Sequence, residues 1–493
     1  MDKNDNNKVQ WNSYLSFMFS MIGAAIGLGN IWRYPYVLYS NGKGTFLIVY
    51  LLSILLVGIP FLLLEYSVGF KFNTSIPEIF KGIKPKLEMV GWFIVVLPFL
   101  ILTYYVCVIG WDGIYFVLSF FKGWGTNTDY FFSHTLLQST DSTVGLTNIV
   151  LPCLASVILV WFMIWFISHR DLNDGVGKVN KIMIPTIFII MGFIVFYSFT
   201  LKGASFGLTT LFSPNWNEIY NPHIWIAAIS QIIFSLAIGE GIILTYSSYL
   251  PENSKLTNNA VTIISINCGF ELFAAMGVFS ILGFMATTTG VDITKLISEG
   301  TGLAFVVFPE ILNIMGPIAY LIGPLFFLCI FLAGLTSAIA YLESVIYAVE
   351  KKFNFPRKKA TTYLCVVGIM ITMVFTTGMG SCLLVMVDKF LNYIGGLFSI
   401  ILELIIFAWL VGADKLLNTL NDNSTIKIGG WWRALIKYVL PTLLICLWLN
   451  EAINIYNTSQ FTLFINVVLS IILVLVPLIL TSINSKDRSF LRE

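Results

Sequence analysis

The sequence predicts an all-α polytopic membrane protein. Twelve transmembrane helices are expected, the first ten forming an inverted five-plus-five helix repeat with discontinuous helices 1 and 6. Three observations predict this. The 493-residue chain is 57% hydrophobic and only 11% charged, where an average soluble domain carries about 25% charged residues. Twelve apolar segments are long enough to cross about 30 Å of hydrocarbon. Finally, one short phrase occurs twice, as Ala25-Ile26-Gly27-Leu28-Gly29 in the first segment and as Ala237-Ile238-Gly239-Glu240-Gly241 in the sixth.

A polar cytoplasmic tail, 1–12, precedes the first span at 13–38. That span lacks a cleavage-site pattern and reads as a retained helix, not a signal peptide. The next spans fall at 44–69, 88–121, 148–168 and 177–201, which closes the first five-helix repeat, 13–201. Spans at 222–250, 258–286, 319–350, 360–382 and 384–411 form the second repeat, 222–411, whose last two members nearly abut at Gly378-Met379-Gly380. Helices 11 and 12 lie at 431–450 and 461–483, within a unit 431–483, and a second cytoplasmic tail covers 484–493. Loop 122–147 is polar, loop 202–221 carries the turn Pro214-Asn215-Trp216, and Val291 to Ile314 is expected to fold back over the mouth of a pathway.

Lys and Arg set the orientation, because they concentrate on the cytoplasmic side. Lys71, Lys81, Lys84 and Lys86 follow the second span, and Arg170, Lys178 and Lys181 follow the fourth. Lys351, Lys352, Arg357, Lys358 and Lys359 follow the eighth, whereas the alternate loops hold only Lys122, Lys202 and Lys295. Both termini are therefore expected to be cytoplasmic in a multi-pass protein of the cell membrane.

The repeated phrase carries the functional argument. Glycine weakens a helix and permits backbone geometries that other residues resist. A helix broken at mid-membrane frees N–H and C=O groups that lipid leaves unsatisfied, so they must face protein, water, an ion or a substrate. Matching interruptions in two halves point to the binding site of a secondary transporter. Five spans separate the two phrases, and five is odd, so the second unit runs through the membrane upside down relative to the first. Packing of close helices is the plainer use of Gly-x-Gly.

Other classes find little support. The near-neutral charge of +2 and the lack of basic tracts with interleaved aromatics give no sign of nucleic-acid binding. The seven cysteines are scattered and form no Cys-x-x-Cys pair, so they read as small buried hydrophobes. His134, His169 and His223 fall in loops or at span ends, and Gly42-Lys43-Gly44-Thr45 lacks phosphate-loop spacing. No enzyme is expected.

Met21 to Pro35, Asn41 to Phe46, Gly58-Ile59-Pro60, Trp225 to Tyr249, Ala333 to Ser337 and Glu403 to Phe407 together resemble the neurotransmitter:sodium symporter family. The likeness is to prokaryotic members such as the bacterial leucine transporter, and it runs from about Trp11 to Asp414. It implies sodium-coupled symport of amino acids by alternating access, with two sodium ions. One ion is expected among the Ala25 carbonyl, the Asn30 and Asn267 side chains, the Ser235 carbonyl and hydroxyl, and the carboxylate of the substrate. The other is expected among the carbonyls of Gly23, Ile26 and Ala333 and the hydroxyls of Thr336 and Ser337. Such all-oxygen shells suit a hard cation.

For the substrate, the N–H groups of Leu28 and Gly29 and the Tyr105 hydroxyl match the family's carboxylate site, at a half-helix N-terminus. Carbonyls of Ala25, Phe234 and Ser235 match the ammonium site. Ala24, Ile101, Tyr105, Phe234, Ala237, Glu240, Ser337 and Tyr341 would line the side-chain pocket. Glu240 stands where a phenylalanine would be. A carboxyl at mid-membrane marks function by default. Two readings stay open. Glu240 selects a polar or cationic substrate side chain, or it is satisfied locally by freed backbone N–H groups or water.

Glu65 matches the glutamate that bonds the unwound backbone. Glu271 replaces a serine that binds chloride in chloride-dependent relatives, alongside positions matched by Tyr50, Gln231, Ser235 and Asn267, which implies chloride-independent transport. Arg33 and Asp388 match an external charge pair. Trp11, Ser248 and Tyr249 match the cytoplasmic gate, with Lys8 in place of an arginine. The expected acid falls on Lys351, with Glu350 as its adjacent substitute. A carrier of another amine-bearing solute or osmolyte, or a membrane substrate sensor, are the alternative readings.

Overall fold

The computed structural model describes residues 9–140, 142–293, 300–456 and 459–483. Among the described residues the chain is helical and forms no β-strand beyond isolated bridges. Ten helices are long and apolar enough to cross a membrane unaided, and a pair bent by 49°, Tyr14–Ala25 and Leu28–Ser40, makes an eleventh span. The sixth segment consists of Pro222–Ser235 and Ile242–Ser248, each too short to span alone. The order of segments is the one the sequence predicts, including both discontinuous helices.

The two breaks differ in their backbone. In the first span only Ile26 and Gly27 are extended, and the helix restarts at Leu28. In the sixth, Ala237, Gly239 and Gly241 all take left-handed φ values, of 51°, 77° and 72°. A side chain in that region costs roughly 1–2 kcal/mol, so glycine at two of the three positions makes the unwound turn affordable. Two polar side chains hold the turn. Glu65 Oε1 accepts from the Gly239 N–H at 3.4 Å, and the Ser399 hydroxyl donates to the Gly239 carbonyl at 2.6 Å.

The third span, Pro85–Ser119, lies along the eighth, Gly316–Phe353. The N-terminal half of the first span, Tyr14–Ala25, packs on the eighth and fifth, and the seventh, Leu256–Thr289, packs on its C-terminal half, Leu28–Ser40. Both breaks thus sit inside a bundle, away from lipid, as freed backbone requires.

Several boundaries differ from the predicted ones. The tenth helix runs over Gly380–Asp422, past the predicted end at 411, because Ala413–Asp422 continues as an amphipathic, charged helix that no apolar scan detects. Loop 202–221 contains a helix, Ala204–Phe212, packed on the seventh span. The stretch from Leu303 to Ile314 is helical, and 294–299 lie outside the described residues. Phe305 anchors it among Trp32, Trp111, Tyr115 and Phe132, with ring centroids 5.0–6.0 Å away.

Candidate functional site

Four elements meet at the breaks: the first, third, sixth and eighth spans. The Leu28 N–H opens the restarted half-helix and donates to the Tyr105 hydroxyl of the third span at 3.2 Å. Gly29 lies against the Phe234 ring so closely that any side chain there would collide with it. Ala24, Ile101 and Ala237 are buried nearby, and the Tyr341 ring stands 6.1 Å from that of Tyr105. The Phe234 carbonyl accepts from the Ala237 N–H at 3.2 Å and also faces the Leu236 N–H.

Two clusters of oxygens flank this point. In the first, Ser337 Oγ lies 3.2 Å from the Gly23 carbonyl, 3.2 Å from that of Ala333 and 3.4 Å from those of Ala24 and Ile26. The Thr336 hydroxyl lies 2.9 Å from the Ala333 carbonyl. Backbone oxygens freed by the break and two adjacent hydroxyls of the eighth span thus converge on one place.

In the second cluster, Asn30 Nδ2 donates to Asn267 Oδ1 at 2.9 Å and to Ser235 Oγ at 3.3 Å. It also reaches Glu271 Oε1 at 3.3 Å. Asn267 Nδ2 in turn donates to Ser235 Oγ at 2.5 Å. The wholly buried Glu271 carboxyl further accepts from Gln231 Nε2 at 2.9 Å and from the Tyr50 hydroxyl. Asn30, Gln231 and Tyr50 are therefore gathered about one buried carboxyl.

A chain that pairs two helix breaks with two oxygen clusters has the geometry of an ion-coupled carrier, and comparison with known proteins gives the family. Residues 8–144 and 125–486 match the sodium:neurotransmitter symporter family. The chain belongs to that family. An uncharacterized sodium-dependent transporter of Methanocaldococcus jannaschii is 38% identical over 451 residues, which cover 91% of each chain. The human sodium- and chloride-dependent creatine transporter 1 is 30% identical over 92% of this chain and 77% of its own. The Drosophila melanogaster sodium-dependent serotonin transporter is 28% identical over 90% and 76%. This symporter is thus a sodium-dependent membrane transporter of a small molecule, and not an enzyme.

Its two ends are closed differently. At one end the Arg33 guanidinium lies over the Phe234 ring, 4.5 Å from the centroid, and donates to Gln231 Oε1 at 2.9 Å and the Tyr393 hydroxyl at 3.2 Å. Asp388 Oδ1 accepts from the Tyr104 hydroxyl at 2.7 Å and Asn392 Nδ2 at 2.9 Å. The expected Arg33–Asp388 pair makes no direct ion pair among the described residues, because neutral side chains occupy both partners first.

At the other end Trp11 is buried, with its N–H on the Tyr249 carbonyl at 3.0 Å and its indole N–H on that of Tyr246 at 3.0 Å. Ser248 is buried there and bonds the Thr245 carbonyl. Lys8 lies outside the described residues. The acid that meets the Tyr249 hydroxyl is Glu343, at 3.1 Å, and not Glu350. Glu343 is two helical turns deeper, where Arg357 grips it through both nitrogens, at 3.0 and 2.5 Å. Glu350 sits near the end of its helix and forms no ion pair among the described residues, while Lys351 lies over the Tyr347 ring. Sequence reading missed Glu343, Arg357 and Ser399. The basic run after the eighth span was the only signal for Arg357, and it served for orientation.

Proposed function

We propose that this chain is a sodium-coupled symporter of α-amino acids that works by alternating access and needs no chloride. The supporting observation is the meeting of two oxygen clusters with a half-helix N-terminus at paired helix breaks. The Ser337 cluster offers oxygens only, which suits a hard cation. The Asn30 cluster has a carboxyl behind it, and its amide and hydroxyl oxygens at Asn30, Asn267 and Ser235 are acceptors for an ion. Two sodium ions are the natural load of two such sets. The substrate carboxylate would sit at the Leu28 and Gly29 N–H groups and the Tyr105 hydroxyl, adjoining the Asn30 cluster. An ion and a substrate that share ligands raise each other's affinity reciprocally.

The working units are two five-helix repeats, 13–201 and 222–411, with 431–483 appended. The distribution of Lys and Arg supports cytoplasmic termini, so the Trp11–Tyr249 end faces the cytoplasm and the Arg33 end faces outward.

Chloride independence is supported by Glu271, whose carboxyl stands at the position that the resemblance assigns to a chloride-binding serine and can itself supply the negative charge. Uptake by the unmodified protein should be equal in chloride and in gluconate. Glu271→Ser should lose most uptake in gluconate and regain it with chloride. A chloride requirement in the unmodified protein would overturn this reading. Relatives named for creatine and serotonin favour a second one, in which another amine-bearing solute is carried on the same sites. A panel that includes such solutes separates the two.

A further inference from the structure

Glu240 is 5% exposed and lies in the unwound stretch of the sixth span. If it were there to satisfy freed backbone, the N–H groups around it would point to it. They do not. The Leu236 and Ile238 N–H groups return to the carbonyls of Ile232 and Ile233, and that of Ala237 goes to Phe234. The Gly239 N–H is taken by Glu65.

The Glu240 carboxyl instead faces the Tyr341 hydroxyl, while its Oε2 has no hydrogen-bond partner among the described residues. No ion pair reaches it among them either. The titratable carboxyls nearest in its surroundings, Asp388 and Glu65, are acids and not bases. Arg33 is committed to Gln231, Tyr393 and the Phe234 ring. A buried carboxylate oxygen without a partner, among further acids, is a strong receptor for a positive charge.

Its position says where that charge comes from. The Tyr105 hydroxyl accepts from the Leu28 N–H, its ring stands 6.1 Å from that of Tyr341, and Tyr341 meets Glu240, so successive contacts connect the half-helix N-terminus to Glu240. A substrate whose carboxylate sits at the first of these extends its side chain toward the last. We propose that Glu240 receives a second positive charge at the far end of the substrate, so that the carrier takes α-amino acids whose side chains end in a guanidinium or an ammonium. This rests on the α-amino-acid reading above and narrows it to long cationic members. Tyr341 then acts as a positioning residue that aims the carboxylate.

The test uses purified full-length protein in sealed liposomes with an inward sodium gradient and labelled arginine, lysine, leucine and methionine. The unmodified protein should take up arginine or lysine with a kcat/KM roughly 10–100-fold above that of leucine, the range expected for a charged hydrogen bond. Glu240→Gln should erase that preference, bringing the arginine-to-leucine and lysine-to-leucine ratios of kcat/KM to one or below, and Glu240→Asp should keep part of it. Sodium-driven uptake of leucine or methionine in preference to the cationic pair would overturn the assignment and leave the α-amino-acid reading intact. An unchanged ranking in Glu240→Gln would overturn it as well. If no amino acid moves with sodium, both readings fall together. The ranking in the unmodified protein decides the matter even if a variant fails to fold.

Discussion

Ser337→Ala should abolish sodium-driven uptake under ordinary sodium gradients. The hydroxyl it removes stands 3.2–3.4 Å from the carbonyls of Gly23, Ala24, Ile26 and Ala333, at the centre of the oxygen cluster. The carbonyls of Gly23, Ala24 and Ile26 would then lose the hydroxyl they share, and Thr336 alone would still donate to that of Ala333. A hydrogen bond to a charged partner contributes about 1.5–3 kcal/mol, which corresponds to a loss of roughly 10–100-fold in apparent sodium affinity. Sodium titration of substrate binding in detergent measures this directly, and it separates weakened ion binding from unfolding. Ser337→Thr keeps the hydroxyl and should retain sodium dependence. Ordinary sodium affinity in Ser337→Ala would remove this cluster from the coupling mechanism.

Arg357→Ala should open the Trp11–Tyr249 end. Glu343 is fully buried, and Arg357 is its only ion-pair partner among the described residues. The Arg357 Nε also donates to the Ser168 carbonyl at 2.9 Å, which ties the start of the ninth helix to the end of the fourth. Removing one member of a buried pair typically costs about 3–5 kcal/mol, because the other charge is left uncompensated. The cost falls on the conformation in which Glu343 is buried, so the equilibrium shifts toward one in which water reaches it. A shift of about 3 kcal/mol exceeds a hundredfold in population. Accessibility of a cysteine introduced at Ser248 to a thiol reagent should rise sharply in Arg357→Ala, and sodium-driven uptake should fall. Glu343→Gln in the Arg357→Ala background removes the stranded charge and should recover part of the closure. Unaltered labelling in Arg357→Ala would show that the pair does not hold this end.

Most of what organises the molecule is legible along the chain, because it is local. Apolar runs set the spans, and Gly27-Leu28-Gly29 and Gly239-Glu240-Gly241 mark the breaks without reference to any distant residue. The oxygen clusters are legible only through the family resemblance, since a Thr336-Ser337 pair or a lone asparagine says nothing by itself. What escapes is pairing across the fold. Glu343 and Arg357 lie on different helices, and the motif position between them is filled by Lys351, whose charge has the wrong sign. Asp388 turns from Arg33 to Tyr104 because the third span stands beside the tenth. Ser399, bonded to the Gly239 carbonyl, sits in an apolar run that reads only as a span. The helix Ala204–Phe212 is short and half-exposed, so its pattern merges with that of a loop.

The most direct measurement is uptake of labelled amino acids into liposomes containing the purified protein, with an inward sodium gradient compared with potassium alone, in chloride-free buffer. The account predicts concentrative uptake with sodium, collapse of that uptake when sodium is equal on both sides, and none with potassium. Uptake that proceeds equally with potassium, or sodium-dependent binding in detergent with no movement into the vesicle, would contradict coupled transport by this chain.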